Sequence, residues 1–270
     1  MQLSAPRIVA IRPLKLNDKR AVVTGGSRGI GLAVGTALAR EGAAVALVGR
    51  DGRAAQEQAA KLADATGARV IGIAADTGDD ASVAVMAAVA EERLGGVDIL
   101  VNNAARTNPG VIPESALEEE INVKVRGYLR CARSFAPGMV DRGWGRIINI
   151  GGTAARRTGS VVGSVRNVAV AALTKNLADE LGPQGVNVTV VHPGATSTET
   201  GTKALAATAA ARGLTLEEVQ REFAASISIG RIVTPDEVAA VVAFLASPLS
   251  VALNGDPLIA SGGALGPIYY

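Results

Sequence analysis

Short apolar runs rich in β-branched residues alternate along the chain with longer stretches in which apolar residues recur at helical spacing. The short runs predict seven strands, at residues 19–24, 43–49, 69–74, 97–101, 144–150, 186–191 and 256–260. The helical spacing predicts helices at 32–40, 54–66, 81–94, 115–140, 163–182 and 235–246. Runs that are apolar throughout are typical of parallel strands with helices on both faces. The alternation therefore predicts an α/β fold, a doubly wound parallel sheet of about seven strands that binds ligands at the carboxyl ends of its strands.

Two segments fall outside this alternation. Residues 1–17 contain Pro6 and Pro13 and predict an irregular N-terminal arm, which could lie along the sheet edge or against a neighbouring subunit. Residues 195–225 are rich in Ala, Thr and Ser and lack a firm core pattern, which predicts a substrate lid of weak helices. We expect one domain over residues 18–270.

Composition and charge exclude several classes of function. A net charge of +2 is spread along 270 residues, and three Phe, three Tyr and one Trp leave little for base stacking, so we expect no nucleic-acid partner. Neither a signal-peptide core nor an uninterrupted run of about 18 apolar residues is present, which favours a cytoplasmic protein without membrane contact. Cys131 is the only cysteine and indicates a reducing compartment. We expect a small-molecule substrate and no metal site.

A glycine-rich turn joins the first strand to the first helix. Gly25, Gly29 and Gly31 follow Thr24. In a dinucleotide site the first glycine permits the turn, the second lets the backbone approach a pyrophosphate, and the third lets the helix pack closely on the strand. The phosphates then lie at the positive end of the helix. An ordinary strand-to-helix turn can share this spacing, so the glycines alone are weak support for such a site.

The residue after the second strand faces the adenosine ribose in such a site. Arg50 stands there and Arg28 lies in the glycine turn. Two guanidinium groups suit a 2′-phosphate, which favours NADP(H) over NAD(H). Both arginines could instead be solvated turn residues, and the neighbouring Asp51 would suit a 2′-hydroxyl.

Polar residues also follow the third and fourth strands. Asp76 could accept a hydrogen bond from the adenine amino group, or it could cap the next helix. Asn102 and Asn103 could join neighbouring strands and line the cofactor cleft, since short amides bond backbone groups outside regular ladders.

Taken together, the motifs resemble those of the short-chain dehydrogenase/reductase family. The ordered set is Thr24-Gly25-x-x-x-Gly29-Ile30-Gly31, Asp76, Asn102-Asn103-Ala104, Asn149, Pro193-Gly194 with Thr198, and Ser261-Gly262-Gly263. The resemblance covers roughly residues 18–263. It implies a Rossmann-type sheet that binds NAD(P), and a homodimer or homotetramer packed through helices 115–140 and 163–182. The candidate cofactor-binding residues are Gly25, Ser27, Arg28, Gly29, Ile30, Gly31, Arg50, Asp76, Thr77, Asn103, Ala104, Asn167, Pro193, Gly194, Thr196 and Thr198.

The usual catalytic residues of the family are missing from the matching positions. The family usually carries a Ser just beyond the fifth strand and a Tyr-x-x-x-Lys pair on the following helix. The Tyr protonates the carbonyl oxygen, and the Lys lowers the pKa of the Tyr and holds the nicotinamide ribose. Gly152, Gly163 and Asn167 occupy these three positions here. The tyrosines of the chain are Tyr128, Tyr269 and Tyr270, and none lies on that helix.

The family also carries an Asn on the preceding helix, and Lys124 matches that position. Lys124 and Asn167 therefore stand where the family has Asn and Lys. One hypothesis is an exchange, in which the Lys124 ammonium points into the cleft and Asn167 holds the ribose hydroxyls. The alternative is that Asn122 is the family Asn after a small insertion and Lys124 is a solvated helix residue.

Hydride transfer to a carbonyl needs a proton donor or electrostatic stabilisation of the alkoxide. Lys124, Thr153 and Ser164 are the leading candidates for this role, followed by Ser160 and His192. Thr153 could instead bond local backbone, and His192 could be a packed imidazole.

Arg156, Arg157 and Arg166 cluster around the missing residues in the sequence, where they could bind an acidic substrate or be solvated. Two functions therefore stay open. The first is an NADP(H)-dependent oxidoreductase that acts on a small carbonyl or hydroxyl compound with a non-standard proton donor. The second is a catalytically inactive NADP-binding protein with a sensing or assembly role.

Overall fold

The computed structural model describes residues 14–106 and 113–266. Most of the predicted N-terminal arm lies outside the described residues, and so do Tyr269 and Tyr270.

Seven strands form one parallel sheet, which confirms the predicted fold class. The strands are β1 (Arg20–Thr24), β2 (Ala44–Gly49), β3 (Val70–Ala74), β4 (Ile99–Asn102), β5 (Gly145–Ile150), β6 (Val186–Pro193) and β7 (Pro257–Ala260). Their order in the sheet is β3-β2-β1-β4-β5-β6-β7, and every neighbouring pair is parallel. The strand order reverses between β1 and β4, and ligands of such sheets bind in the crevice that opens there at the carboxyl ends.

Helices cover both faces of the sheet. They are α1 (Gly29–Arg40), α2 (Gly52–Thr66), α3 (Asp80–Leu94), α4 (Leu117–Glu120), α5 (Gly127–Asp141), α6 (Val161–Leu181), α7 (Glu199–Arg212), α8 (Leu216–Ala225) and α9 (Pro235–Ala246). Leu38 of α1 and Val242 of α9 belong to one buried cluster, and Met86 of α3 and Phe135 of α5 belong to another. Each such side chain contributes roughly 1.5–3 kcal/mol on burial. Because both faces are covered, a central strand such as β2 has no polar side chain and is buried at five of its six positions.

The chain is helical over the whole of the range 115–140, as predicted, but it is not a regular α-helix throughout. A 3₁₀ turn at Glu114–Ala116 leads into α4, and a π-helical segment at Ile121–Arg126 separates α4 from α5. Three of its six residues are β-branched, a side-chain type that loses rotamer freedom in a regular α-helix. π-helical turns are frequent at functional sites. In this one, Val123 and Lys124 are both buried.

The segment 195–225 forms regular helices rather than the predicted weak ones. The Thr198 hydroxyl caps α7, and Thr215 with Glu218 forms a capping box at the start of α8. Each helix nevertheless buries little, since Ala209 is the buried residue of α7 and Val219 that of α8.

Within the described residues, no helix is both long enough and apolar enough to cross a membrane. The same part of the chain holds no group of three or more His, Cys, Asp or Glu side chains that could bind a metal ion. Cys131 is a buried free thiol, and burial raises its pKa to about 12. Because a thiol in that state is a poor nucleophile, Cys131 has a packing role.

Candidate active site

The glycine turn lies where the strand order reverses. Gly25 and Gly29 have φ angles of +62° and +56°, which glycine adopts without a steric penalty. A Cβ at Gly31 would overlap the carbonyl oxygen of Gly25 and would lie 2.5 Å from Asn103 Nδ2. No side chain caps the N-terminus of α1, so its first backbone N–H groups are open to an anion.

A cleft of about 960 Å³ extends from this turn along the carboxyl ends of the strands. Its volume is within the range of cofactor sites. All of the predicted cofactor-binding residues line it, except Gly31 and Asn167. Gly31 lies behind the wall, where the absence of a side chain allows α1 to approach β1 closely.

Short amide side chains join the ends of the central strands, as the sequence predicted. Asn103 Nδ2 donates to the carbonyl oxygens of Thr24 and Gly25, each at 3.1 Å. Asn102 Nδ2 donates to Asn149 Oδ1 at 3.0 Å. These bonds fix the glycine turn relative to β4 and β5, so this wall of the cleft is rigid before any ligand binds.

Two acidic residues of the cleft wall have local roles. Asp51 accepts a hydrogen bond from Ala54 N at 3.0 Å and caps α2. The cap of α3 is Asp79, so Asp76 does not have the capping role that was one of its two alternatives. Asp76 Oδ1 instead accepts from Gly78 N at 2.8 Å, which holds its side chain at the cleft.

Lys124 points into the cleft from the π-helical segment. Its exposed fraction is 4%, and its Nζ donates to the carbonyl oxygen of Gly151 at 2.9 Å. Lys124 is therefore not a solvated residue, and that part of the alternative was wrong. Asn122 turns the other way and donates to the carbonyl oxygen of Gly78 at 3.0 Å.

A buried ion pair lies beside Lys124. Glu120 is 1% exposed and pairs with Arg166 of α6. Burial, with the charge of Arg166, lowers the pKa of Lys124 to about 7, while Glu120 acts in the opposite direction. The amine and the ammonium are therefore both populated near neutral pH. Glu120 was missed from the sequence, although it precedes Lys124 by the four residues that place helical side chains on one face.

Tyr128 of α5 also lies in this region, although it is not on the helix that follows β5. It is fully buried, and its hydroxyl donates to the carbonyl oxygen of Ile150 at 3.0 Å. The next carbonyl, that of Gly151, accepts the bond from Lys124. Burial raises the pKa of Tyr128 well above its usual value. Because Tyr128 does not line the cleft, it fixes the end of β5 rather than reaching a ligand.

A second cavity of about 600 Å³ adjoins the cleft. The two share the wall residues Gly151, Gly152, Arg166, Pro193, Gly194 and Ala195. Thr153 and Asn167 line the second cavity and not the cleft. Asn167 Nδ2 donates to the carbonyl oxygen of Gly163 at 2.8 Å, and its buried Oδ1 has no hydrogen-bond partner among the described residues.

The serine candidates are held by local hydrogen bonds. Ser164 Oγ donates to the carbonyl oxygen of Arg157 at 2.8 Å, and Ser164 lines neither the cleft nor the second cavity. Ser160 Oγ accepts from Gly163 N at 3.0 Å and caps α6. The structure therefore does not bring Ser164 to Lys124, because its hydroxyl bonds the nearby backbone instead.

His192 is a packed imidazole, which was one of its two predicted roles. Its Nδ1 accepts a hydrogen bond from Gly152 N at 2.9 Å. Burial, with the charges of Lys124 and Arg156, lowers the pKa of His192 to about 4. Near neutral pH the ring is therefore neutral, and the one proton that it carries is too weakly acidic for effective general acid catalysis.

Known proteins resemble this chain along most of its length. The sequence model described as Enoyl-(Acyl carrier protein) reductase matches residues 25–264. The short-chain reductase protein NovJ of Streptomyces niveus is 36% identical over 247 residues, which are 90% of this chain and 92% of NovJ. The 3-oxoacyl-acyl-carrier-protein reductase FabG of Aquifex aeolicus is 31% identical over 255 residues, with 93% and 98% covered.

Solved structures show the same likeness. The L-sorbose reductase of Gluconobacter frateurii, in complex with NADPH and L-sorbose, has a TM-score of 0.88 at 29% identity and covers 95% of this chain and 100% of its own. A 7α-hydroxysteroid dehydrogenase, in complex with NADH and 7-oxo glycochenodeoxycholic acid, has a TM-score of 0.83 at 26% identity, with 93% and 96% covered. From the family model, the relatives and the strand order together, the chain belongs to the short-chain dehydrogenase/reductase family.

Proposed function

We propose that this protein is an NADP(H)-dependent oxidoreductase that acts on a small carbonyl or hydroxyl compound and uses Lys124 as its proton donor. The observation that carries the proposal is the position of the Lys124 amine, buried in the wall of a cleft large enough for a dinucleotide. The family relationship supports the reaction class.

The residues of the cleft fit the cofactor. The uncapped start of α1 and the glycines before it would hold the diphosphate. Asp76 would hold the adenine, and Pro193-Gly194 with Thr196 or Thr198 would hold the nicotinamide. When bound, the nicotinamide supplies or accepts a hydride.

We propose NADP(H) in preference to NAD(H). Arg28 and Arg50 both line the cleft beside the end of β2, while the Asp51 carboxylate is engaged as the cap of α2. The relatives include proteins solved with NADPH and with NADH, so the preference stands on these residues.

The double substitution Arg28→Ser and Arg50→Ser is expected to raise the Kd for NADPH by about 10- to 100-fold, because hydrogen bonds from charged groups to the 2′-phosphate are lost. The Kd for NADH is expected to change by less than about threefold. Calorimetric titration with each nucleotide measures both constants, and Arg40→Ser, an exposed change at the far end of α1, is the matched control. An equal loss for NADPH and NADH would contradict the assignment.

In this mechanism Lys124 Nζ carries the proton. The Gly151 carbonyl orients the ammonium, which donates its proton to the carbonyl oxygen of the substrate during reduction. The same positive charge stabilises the oxygen as negative charge develops on it. In the oxidation direction, the neutral amine accepts the proton of the hydroxyl.

We propose that Asn167 completes the exchange with Lys124. Asn167 lies in the second cavity beside Gly152, which also lines the cleft. Its buried Oδ1 has no hydrogen-bond partner among the described residues and is suited to accept a bond from a ribose hydroxyl that reaches this shared wall. A Cβ at Gly152 would lie 3.2 Å from Asn167 Nδ2, so a larger residue there would crowd the amide. We assign no part to Ser164, and we keep Thr153 as a residue that could hydrogen-bond the substrate from the second cavity.

The two directions of the reaction are expected to have opposite pH dependences. Reduction needs the ammonium, so its kcat/KM should be level below about pH 7, where the pKa of Lys124 lies, and fall about tenfold per pH unit above it. Oxidation needs the amine, so its kcat/KM should rise up to about pH 7 and then level off. Initial rates at saturating cofactor and at substrate concentrations well below KM, between about pH 5 and pH 9.5, measure both profiles. A reduction rate that stays level up to about pH 9 would exclude Lys124 as the donor.

The second candidate function is a catalytically inactive NADP-binding protein. The glycines at 152 and 163, where the family usually has Ser and Tyr, favour it. Mixing the protein with NADPH and a panel of ketones, quinones and imines separates the two candidates. Oxidation of NADPH supports the reductase, whereas tight binding without oxidation across the panel supports the inactive protein.

We further propose a homodimer or homotetramer that packs through α5 and α6, and a substrate lid formed by α7 and α8. The exposed side chains of Val161, Val165 and Val168 follow one face of α6 and support the first. For the lid, Thr200 lines the cleft and Phe223 lines the second cavity, while both helices bury little.

A further inference from the structure

The second cavity has a cationic side. Arg156 and Arg157, at the end of the 3₁₀ turn that follows β5, line it together with Arg166 of α6. None of its lining residues within the described parts of the chain is Asp or Glu. The substrate space beside the cleft therefore carries positive charge without a carboxylate in its own wall.

The carboxylate of Glu120, which lies outside the cavity lining and pairs with Arg166, does not use all of the donors of that guanidinium group. Glu120 pairs with Arg166 through Nη1, and Arg166 Nε has no hydrogen-bond partner among the described residues. The positive charge also extends behind the wall, because Lys124 and Arg156 add to burial in lowering the pKa of His192. An anion in the cavity would meet this positive charge at short range.

The cavity is also lined by large apolar side chains. Phe223 and Ile227 lie at the end of α8 and just after it, and Ile259 belongs to β7. These side chains would contact a hydrocarbon body, while the arginines would bind a charged end. The cavity meets the cleft at Gly151, whose carbonyl holds Lys124 Nζ.

We propose that the substrate is a carbonyl compound with an apolar body and an anionic group, a carboxylate or a phosphate, that Arg156 and Arg157 bind in the second cavity. Guanidinium groups bind both anions through paired hydrogen bonds. The inference rests on the proposed function, since it takes the carbonyl end of the substrate to lie against Lys124. It adds the charge of the substrate and the residues that select it.

Binding and turnover of matched compounds test the inference. The probes are keto acids of about four to ten carbons, the corresponding keto phosphonates, and the uncharged primary amides of the same acids, each titrated into the protein loaded with NADP⁺. Carboxylate or phosphonate is expected to bind about 10- to 100-fold more tightly than the amide, the factor that one or two hydrogen bonds to a charged group supply. The better of the two anions identifies the group that the cavity accepts.

The double variant Arg156→Gln/Arg157→Gln should reduce that advantage to less than about threefold. The matched control Arg69→Gln/Arg93→Gln removes two exposed arginines outside both cavities and should keep it. Equal binding of anion and amide, no measurable binding of any probe, or an anion advantage that survives in the double variant would overturn the inference. Selective binding of the anions without NADPH oxidation would leave the anion site standing and would count against the reductase alone.

Discussion

Replacing Lys124 by methionine is expected to lower kcat for carbonyl reduction by about 10²–10⁴-fold, the loss typical of a missing general acid. Methionine keeps much of the apolar length of lysine at a position that is 4% exposed, so the packing of the π-helical segment should survive. The variant loses the proposed proton donor and the hydrogen bond to the Gly151 carbonyl. The Kd for NADPH should change by less than about threefold, because the phosphates would bind at the glycine turn, away from Lys124. Steady-state kinetics and calorimetry measure the two effects.

Two further variants separate the loss of a proton donor from other effects of the substitution. Lys124→Arg keeps a positive charge that cannot release its proton, so its rate should stay low and the change near pH 7 should disappear. His192→Asn offers an amide oxygen to Gly152 N in place of Nδ1, and its kcat should stay within about tenfold of the parent, since the neutral imidazole is a poor general acid. Lys124 would not be the donor if Lys124→Met kept more than about a tenth of the parent kcat. The same conclusion would follow if His192→Asn lowered kcat as far as Lys124→Met does.

The sheet could be predicted from the sequence because its signal is local and repeated. A run such as Ala44–Gly49 is apolar at every position, which in a chain of this length requires cover on both faces. The glycine turn could be predicted for the same reason, since each glycine meets a local requirement. Gly29 has a positive φ angle, and Gly31 leaves no room for a Cβ beside the Gly25 carbonyl oxygen. The observed ends of some helices differ from the predicted ones by a few residues, because a capping side chain sets the end. At α6 the Ser160 hydroxyl caps the helix, which begins two residues earlier than the apolar spacing indicates.

The interior of the site could be predicted only in part. Matching the family pattern placed Lys124 on the right helix, but the π-helical turn that buries it depends on packing against the end of β5 and has no sequence signature. Tyr128 was set aside because it lies on the wrong helix for the family pattern, although that helix packs against the same strand end. The sequence made Ser164 a candidate for the site, but its hydroxyl donates to the carbonyl oxygen of Arg157. Sequence spacing does not reveal such a local acceptor in irregular backbone.

The surroundings of the arginine cluster also could not be predicted, because they come from residues far away in the sequence. Arg156 and Arg157 are adjacent in the sequence, which suggests a shared role. Their adjacency does not show which cavity or surface they line. The apolar part of the same cavity includes Phe223 and Ile259, which lie about 70 and 100 residues further along the chain. The pattern could therefore suggest an acidic substrate or solvated side chains, and the cavity supplies the reason to prefer the first.

Replacing Gly31 by alanine is expected to raise the Kd for NADPH by about 100-fold or more and to lower the free energy of unfolding by about 1–3 kcal/mol. The added Cβ would overlap the carbonyl oxygen of Gly25 and lie 2.5 Å from Asn103 Nδ2, and neither the backbone nor an amide bonded twice to the turn can move freely. The start of α1 must then shift away from β1, which displaces the N–H groups that would bind the diphosphate. Calorimetric titration with NADPH and urea denaturation measure the two losses.

Gly138→Ala is the matched control, a glycine-to-alanine change inside a helix where the nearest atoms to the new Cβ are the flexible ends of Arg142 and Glu91. It should leave NADPH binding unchanged and stabilise the fold by up to about 1 kcal/mol, since alanine is the better helix former. Because both variants add the same methyl group, a difference between them isolates the close approach of α1 to β1. Normal NADPH affinity in Gly31→Ala would show that the cofactor does not bind at the glycine turn, and the assignment of the cleft would then be wrong.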